Sequence, residues 1–427
     1  VRILVVGGGG REHALVWALR REDPDAVTYC APGNPGTESL ATNLPIAATD
    51  LDRLTDAADA YGIDLTVVGP EAPLALGLAD RLRAEGRAVF GPGQAGAEIE
   101  ASKAFAKELM VRAGVPAASS RTFRALPDAL AWIEHHPEPL VVKASGLAAG
   151  KGVIVCATRA EARQAVQAML GSGRFGEAGK VVVIEEFMGG EELSVLAITN
   201  GEDIVLLPPA QDHKRLGEGD TGPNTGGMGA YSPVSIASPA FLEQVTREVF
   251  QPVLAELARQ GGRYNGVLYA GLMVGEDGAP RVVEFNCRLG DPEAQAVLPL
   301  IEGGLTECLW RVARGEAPSG LRVAAGHAVT TVLAARGYPD RPETGAAITI
   351  PDALPEGVTV FHAGTSRDAG GILRATGGRV LTVTAVAASF PKAQAASREA
   401  AAAIRFDGKV YRRDIGWREA VRQQLGV

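Results

Sequence analysis

The sequence predicts a multidomain protein of α/β and α+β class, with a parallel α/β domain at its N-terminus and a mostly β domain at its C-terminus. Three observations carry this reading. Over the first hundred residues short apolar runs alternate with helical patterns. Over the last hundred, short apolar runs dominate. The length, 427 residues, corresponds to about three domains at roughly 150 residues each.

The first run, Arg2-Ile-Leu-Val-Val6, leads into four glycines, Gly7 to Gly10, and a helical pattern from Arg11 to Arg20. Residues 27–30 form a second strand, Pro32 to Gly36 a loop, 51–61 a helix and 65–68 a third strand. Alternation of this kind gives a parallel sheet covered on both faces. Gly91-Pro-Gly93 closes the unit near residue 100. Ser102 then caps a helix at 103–113. Strands at 140–143 and 153–156 flank a glycine-rich loop at 145–152, with a helix at 159–170 and a strand at 181–187. A mixed region follows to about residue 320, interrupted by one long polar loop at 211–233. The C-terminal strands are expected at 328–334, 346–350, 358–362 and 379–386, before an Ala-rich helix at 391–405. The basic run Arg405, Lys409, Arg412, Arg413, Arg418 reads as a solvated face.

Composition excludes several classes. The hydrophobic share of 46% and the charged share of 22% are those of a chain with a buried core, not a disordered one. A net charge of −8 speaks against nucleic acid and against an anionic membrane surface as partners, since both need clustered positive charge. The four cysteines have no CxxC spacing, which disfavours a disulfide framework or a zinc site and suggests a reducing compartment. No apolar run approaches the roughly 18 residues of a spanning helix. A cytoplasmic location is the expectation.

Four segments suggest chemistry. Glycine between a strand and a helix can cradle an anion, but Gly7–Gly10 lack the dinucleotide spacing, and no acidic residue ends the second strand. A site for another phosphate or small anion, or a tight turn only, both remain open. The 145–152 loop carries Gly146, Gly150, Lys151 and Gly152 one residue short of a Walker A spacing, so a glycine-rich hairpin over a triphosphate is the alternative. Lys143, at the end of a buried strand, needs either phosphate or a salt bridge as partner. In Arg281–Arg288, alternation puts Val282, Glu284, Asn286 and Arg288 on one face, and Val283, Phe285 and Cys287 on the other. A carboxylate and an amide oxygen two residues apart suit Mg²⁺, and Arg288 would meet developing negative charge. A polar stripe on a half-exposed sheet is the plainer reading. The 211–233 loop, with six glycines and the charged run Asp212 to Arg215, suits a ligand loop or a linker.

Taken together and in order, the motifs GGGGREHAL, APGNPGT, VGPEAPL, FGPG, SKAF, VVKASGLAAGKGVIV, IEEFMGGEELSV, QDHKR…TGPNTGGMGAYSP, EFNCRLGDPE, FHAGT, GGRVLTVTA and RRDIGWR resemble those of the glycinamide ribonucleotide synthetases, ATP-grasp ligases of purine biosynthesis. The resemblance runs essentially end to end. It implies an N-terminal α/β domain at 1–101, an ATP-grasp body at 102–325 with a small lid at about 121–189, and a β-rich domain at 326–427. It implies a ligase that joins glycine to 5-phosphoribosylamine through glycyl phosphate, giving ADP and phosphate. By the same resemblance, Glu284 and Asn286 would hold Mg²⁺ or Mn²⁺. Lys103, Lys143, Ser145, Gly146, Gly150, Lys151 and Gly152 would take the phosphates of ATP. Glu185, Glu186, Phe187 and Met188 would meet adenine, and Glu191 the ribose. Arg288 and Asp291 would face the reacting carboxylate and amine. Gly9, Gly10, Arg11, Asp212, Lys214, Gly227, Met228 and Gly229 would bind phosphoribosylamine. A transient contact with the upstream enzyme that makes this amine is also compatible with the resemblance. Two other readings use the same nucleotide residues: another ATP-grasp ligase or carboxylase acting on a phosphorylated purine precursor, and a nucleotide sensor without turnover.

Overall fold

The computed structural model describes residues 1–147, 152–172, 175–262 and 264–426. Near-continuous apolar runs make the N-terminal strands, as burial on both faces requires. Five parallel strands lie in the order Thr42–Asn43, Val27–Pro32, Arg2–Gly7, Leu65–Val68, Ala88–Phe90. Ile3, Leu4, Val5 and Val6 of the central strand are fully buried. The strand order reverses at Arg2–Gly7, so its carboxyl end and the glycines after it open at a switch point of the sheet. The helix Gly10–Glu22 starts there.

Ser102 caps the helix Lys103–Ala113 by accepting the Phe105 N–H at 3.2 Å, and Gly114, at φ +68°, ends it. An antiparallel sheet follows, ordered Ser120–Phe123, Val182–Glu186, Leu140–Ala144, Val153–Cys156. It has its own core, with Phe123, Ile133, Val142, Val166 and Ile184 buried together. The expected helix at 159–170 runs as an α-helix over Arg159–Val166 and continues as one π-helical stretch, Gln167–Gly171.

The body is a second antiparallel sheet, ordered Ile204–Leu206, Glu191–Thr199, Gly266–Val274, Pro280–Asn286. Its period-two pattern feeds two cores. Leu193, Val195, Leu268 and Leu272 pack with the helices Gln251–Arg259 and Lys103–Ala113. Leu196, Ile198 and Val267 pack with the helices Gly10–Glu22 and Leu305–Ala313.

The C-terminal sheet is ordered Gln211–Asp212, Gly229–Ser232, His327–Ala334, Arg379–Ala387, Val358–His362, all antiparallel, with the helix Phe390–Ala403 against it. Segment 211–233 is therefore not one long loop. It holds the two strands just named and a hairpin, Arg215–Gly217 with Thr221–Asn224. Conversely, 346–350 is not a strand; Ala347 and Thr349 form only isolated bridges to Arg374 and Arg405. The four cysteines are free and buried. Among the described residues, no helix is long and apolar enough to cross a membrane.

Candidate active site

The N-terminal region, the small sheet, the body and the C-terminal sheet meet at a cleft of about 430 Å³. Its floor is the strand Pro280–Asn286. A bulge in the pairing with Gly266–Val274 sets Gly271 opposite Glu284 and Leu272 opposite Val282, skipping Val283. The extra residue resets the alternation. Val283, Glu284 and Asn286, with Arg288 just beyond the strand, line the cleft, while Val282 and Cys287 are buried in the core away from it and Phe285 is buried at its edge. The expected shared face of Val282 and Glu284 is thus corrected by the bulge.

Lysines form one wall. Lys103 and Lys107, one turn apart on the helix Lys103–Ala113, face the cleft with Lys143. Lys143 Nζ is 2.9 Å, and Lys107 Nζ 3.2 Å, from Glu185 Oε2, and all three side chains are buried. Lys143 Nζ also donates to the Val283 carbonyl at 3.1 Å, tying the small sheet to the floor. Burial pulls the ammonium groups of Lys103 and Lys107 below their ordinary pKa, against the opposing pull of Glu284 on the first and Glu185 on the second. Burial pushes Glu284 up, but Lys214, Lys143, Lys103 and Arg288 outweigh it and hold this carboxyl below its ordinary value.

The opposite wall is guanidinium and carboxylate. Arg288 Nε lies 3.1 Å from Glu71 Oε2, and its Nη2 2.6 Å from Glu100 Oε1 and 3.3 Å from Asn286 Oδ1. Burial alone would lower its pKa; Glu100 and Glu71 reverse that and keep it charged. Asp291 accepts from Gln295 at 2.7 Å and pairs with Arg379 at 3.2 Å. Burial pushes its carboxyl up, and Arg379 and Arg11 bring it below the ordinary range. Glu293 accepts from Ser194 and Tyr269 at 3.1 and 3.0 Å. Lys214 pairs with Glu192 at 2.6 Å, beside Asp212.

Of the residues singled out in the sequence, Arg11, Lys103, Lys143, Gly152, Glu185, Asp212, Lys214, Glu284, Asn286, Arg288 and Asp291 line this cleft. Gly150 and Lys151 lie outside the described residues. The others are placed around it. Ser145 Oγ accepts the Ala104 N–H at 3.0 Å, docking the glycine loop on the helix start. A Cβ on Gly146 would come within 2.7 Å of Ala178 Cα. Glu186 accepts the Ser119 N–H at 3.0 Å; Phe187 is exposed and Met188 buried. Glu191 is held by Arg422 at 2.7 Å and Gln211 at 2.8 Å. Gly9 gives its N–H to Glu12 Oε2 at 2.7 Å, so the chain's own carboxylate sits at that helix start. A Cβ on Gly10 would come within 2.6 Å of Gln295 Nε2. Gly227, Met228 and Gly229 follow Gly226, which lines the cleft. Arg412, expected on a solvated face, is instead fully buried between Asp220 and Asp414, each at 2.8 Å.

Sequence reasoning missed Lys107, Glu71, Glu100 and Arg379. Lys107 stands one helical turn after Lys103, a spacing that shares a face. Glu71 and Arg379 sit inside the motifs VGPEAPL and GGRVLTVTA, but no local pattern brings them to one place.

The donor set suits a hard divalent cation. Glu284 is kept ionised, faces the cleft and, among the described residues, accepts no hydrogen bond. Asn286 offers a neutral oxygen beside it. Two protein oxygens leave the remaining positions to phosphates and water, the usual arrangement for Mg²⁺. No cluster of three or more acidic, histidine or cysteine ligands occurs among the described residues.

Residues 1–100, 101–294 and 328–418 match, in turn, the N domain, the ATP-grasp (A) domain and the C domain of phosphoribosylglycinamide synthetase. The phosphoribosylamine–glycine ligase of Nostoc sp. is 48% identical over 424 residues, spanning 98% of this chain and 99% of its own. That of Allochromatium vinosum is 48% identical, spanning 99% and 100%. The crystal structure of the Thermotoga maritima phosphoribosylamine–glycine ligase superposes with a TM-score of 0.86 at 35% identity, covering 97% of this chain and all of that one. The biotin carboxylase of Campylobacter jejuni, at 15% identity and a TM-score of 0.73 over 96% of this chain and 92% of its own, shares the fold.

Proposed function

The chain belongs to the phosphoribosylglycinamide synthetase family, and on that footing we propose how its cleft joins glycine to 5-phosphoribosylamine. It is an ATP-dependent carbon–nitrogen ligase of purine biosynthesis, using a divalent metal. The chemistry sets the order of events. A carboxylate does not acylate an amine, because its leaving group would be oxide. A glycine carboxylate oxygen attacks the γ-phosphorus, ADP departs, and glycyl phosphate forms. The nitrogen of phosphoribosylamine then attacks the carbonyl carbon, the C–O bond to phosphate breaks, and the nitrogen gives up one proton, which the departing phosphate takes up.

Phosphoryl transfer of this kind is mostly positioning and charge neutralisation. Lys103, Lys107 and Lys143 line the wall where the triphosphate would lie, with Gly152 beside them. Glu185 holds two of these lysines without neutralising the third. Glu284 and Asn286 would hold Mg²⁺ or Mn²⁺. When bound, that ion supplies charge neutralisation to the phosphate oxygens. Arg288, fixed by Glu71 and Glu100, presents a positive edge to the carboxylate being phosphorylated. Glu186, Phe187, Met188 and Glu191 border the nucleotide. Asp291, Arg11, Asp212, Lys214 and the segment 225–229 form the amine side. The observation that carries this reading is geometric: the Glu284 carboxylate, without a hydrogen-bond partner among the described residues, faces one cleft with Asn286, Lys103, Lys143, Lys214 and Arg288.

We also infer a cytoplasmic location, where ATP and a phosphorylated amine are at hand. An amine at C1 of a ribose is prone to hydrolysis, so a transient contact with the enzyme that makes it would shorten its time in water. The test is phosphate release by the purified chain. ADP, phosphate and glycinamide ribonucleotide should appear together only when ATP, glycine and the amine are all supplied. Turnover with bicarbonate and no glycine would refute the substrate assignment.

A further inference from the structure

Among the described residues lining the cleft, Arg379 is the one drawn from beyond residue 293. It opens the strand Arg379–Ala387 of the C-terminal sheet. Its Nη1 donates to the Gly226 carbonyl at 2.6 Å and to the Asp291 carbonyl at 2.7 Å, and its Nη2 lies 3.2 Å from Asp291 Oδ2. Tyr338, from the same region, accepts the Gly226 N–H on its Oη at 2.9 Å. Both backbone polar groups of Gly226 are thus held by side chains of the C-terminal region.

The fit leaves no slack. A Cβ on Gly226 would lie 3.1 Å from Tyr338 Oη and 3.3 Å from Arg379 Cζ, and one on Gly378 only 2.3 Å from Tyr338 Cδ2. Gly227, at φ +108°, passes so near the next turn that a Cβ there would sit 2.4 Å from Pro292 Cδ. Segment 225–227 and turn 291–292 therefore abut, and Arg379 is tied to both. Two carbonyls and a carboxylate held at once call for a planar fork of donors, which a lysine ammonium does not provide. None of these bonds reaches the lysine wall, Glu284 or Asn286.

We propose that Arg379, supported by Tyr338, is a positioning residue for the amine-attack half of the ligation, holding Gly226 and Asp291 in the geometry that receives phosphoribosylamine. The assignment rests on the reading that these two segments form the amine side of the cleft. It gives the regions separate roles. The body and small sheet manage the triphosphate, and the C-terminal region sets where the nucleophile sits.

Steady-state kinetics on the full chain test this, with each substrate varied in turn. Arg379→Met should lower kcat/KM for phosphoribosylamine about 100-fold, as a misplacement near 1 Å does. Its KM for ATP and for glycine should stay within about twofold, because uniform binding there is untouched. Arg379→Lys should recover part of the loss. Tyr338→Phe, which removes one hydrogen bond with little change of volume, should lower the same parameter about three- to tenfold, and serves if Arg379→Met does not fold. Unchanged kcat/KM for the amine in folded Arg379→Met or Tyr338→Phe would overturn the proposal. So would an equal rise in KM for ATP. If the unaltered protein makes no glycinamide ribonucleotide, the functional reading fails, which is a different result.

Discussion

Glu284 and Glu185 show how differently two carboxylates of one cleft can matter. Glu284 faces the cleft and is held ionised by its neighbours. Glu284→Ala should cut kcat at saturating Mg²⁺ by about 100-fold or more, since a metal ligand contributes charge neutralisation that water does not replace. Its thermal midpoint should stay close to that of the parent, and near-normal turnover would refute the ligand role. Glu185 is the opposite case. It is buried against Lys143 and Lys107, and Glu185→Ala leaves two buried cations without their partner, a loss of about 3–5 kcal/mol readable in urea unfolding. Lys107→Met, which keeps the volume, should cost less stability and raise KM for ATP. That Glu284 and Asn286 share a side was legible in the sequence because alternation is a local rule, and both line the cleft. The position of Val282 was not, because the bulge comes from pairing with Gly266–Val274.

Among the elements, the helix Gly10–Glu22 and the strand Val358–His362 meet through two histidines. His13 Nδ1 accepts the His362 N–H at 2.8 Å, and His13 packs edge-on against Phe361 at 5.4 Å between ring centroids. Burial, reinforced by His362, pulls His13 down to about 3; burial, reinforced by Arg367, pulls His362 to about 4. Both are neutral in the folded protein at neutral pH. Below the unfolded value near 6.5 only the unfolded chain takes up these protons, so stability falls with decreasing pH towards 4. Each histidine contributes a slope of at most about 1.4 kcal/mol per pH unit. Urea midpoints measured from pH 7 to 4.5 should show this decline, and His13→Asn should flatten it; an unchanged slope would refute the assignment. Elements with strong local signals, such as Arg2–Gly7 and the Ser102-capped helix, were legible in advance. Segment 211–233 was not: Tyr231 pairs with Val329 and Ala230 with Thr330, about a hundred residues away, and its six glycines hide the short strands.

Across the whole molecule, the cleft is a junction rather than a hollow in one domain. Glu71 comes from the N-terminal region, Glu284 from the body, Arg379 from the C-terminal sheet. Arg412 lies outside that cleft and clasps the hairpin next to it. It is buried between Asp220 and Asp414 and donates to the Arg215 carbonyl at 3.1 Å. Asp220 stands at φ +56°, the one non-glycine residue with positive φ among those described, and Arg418 also pairs with it at 2.7 Å. Arg412→Met should therefore lower stability by about 3 kcal/mol, the small end of the range for a broken buried pair, because Asp220 is partly open to water. Denaturant midpoints would report this, and a neutral substitution would show that Arg418 suffices to hold Asp220. Nothing in a charge count marks Arg412 as interior, because one of its two carboxylate partners lies 192 residues earlier.

That separation has a meaning in time. A ribosome adding about 5–20 residues per second releases the Asp220 hairpin some 10 to 40 s before the guanidinium that anchors it. Until then the hairpin beside the substrate cleft lacks its clasp, so a nascent chain halted just short of residue 412 already carries Tyr338 and Arg379 but should leave the 215–224 hairpin unanchored.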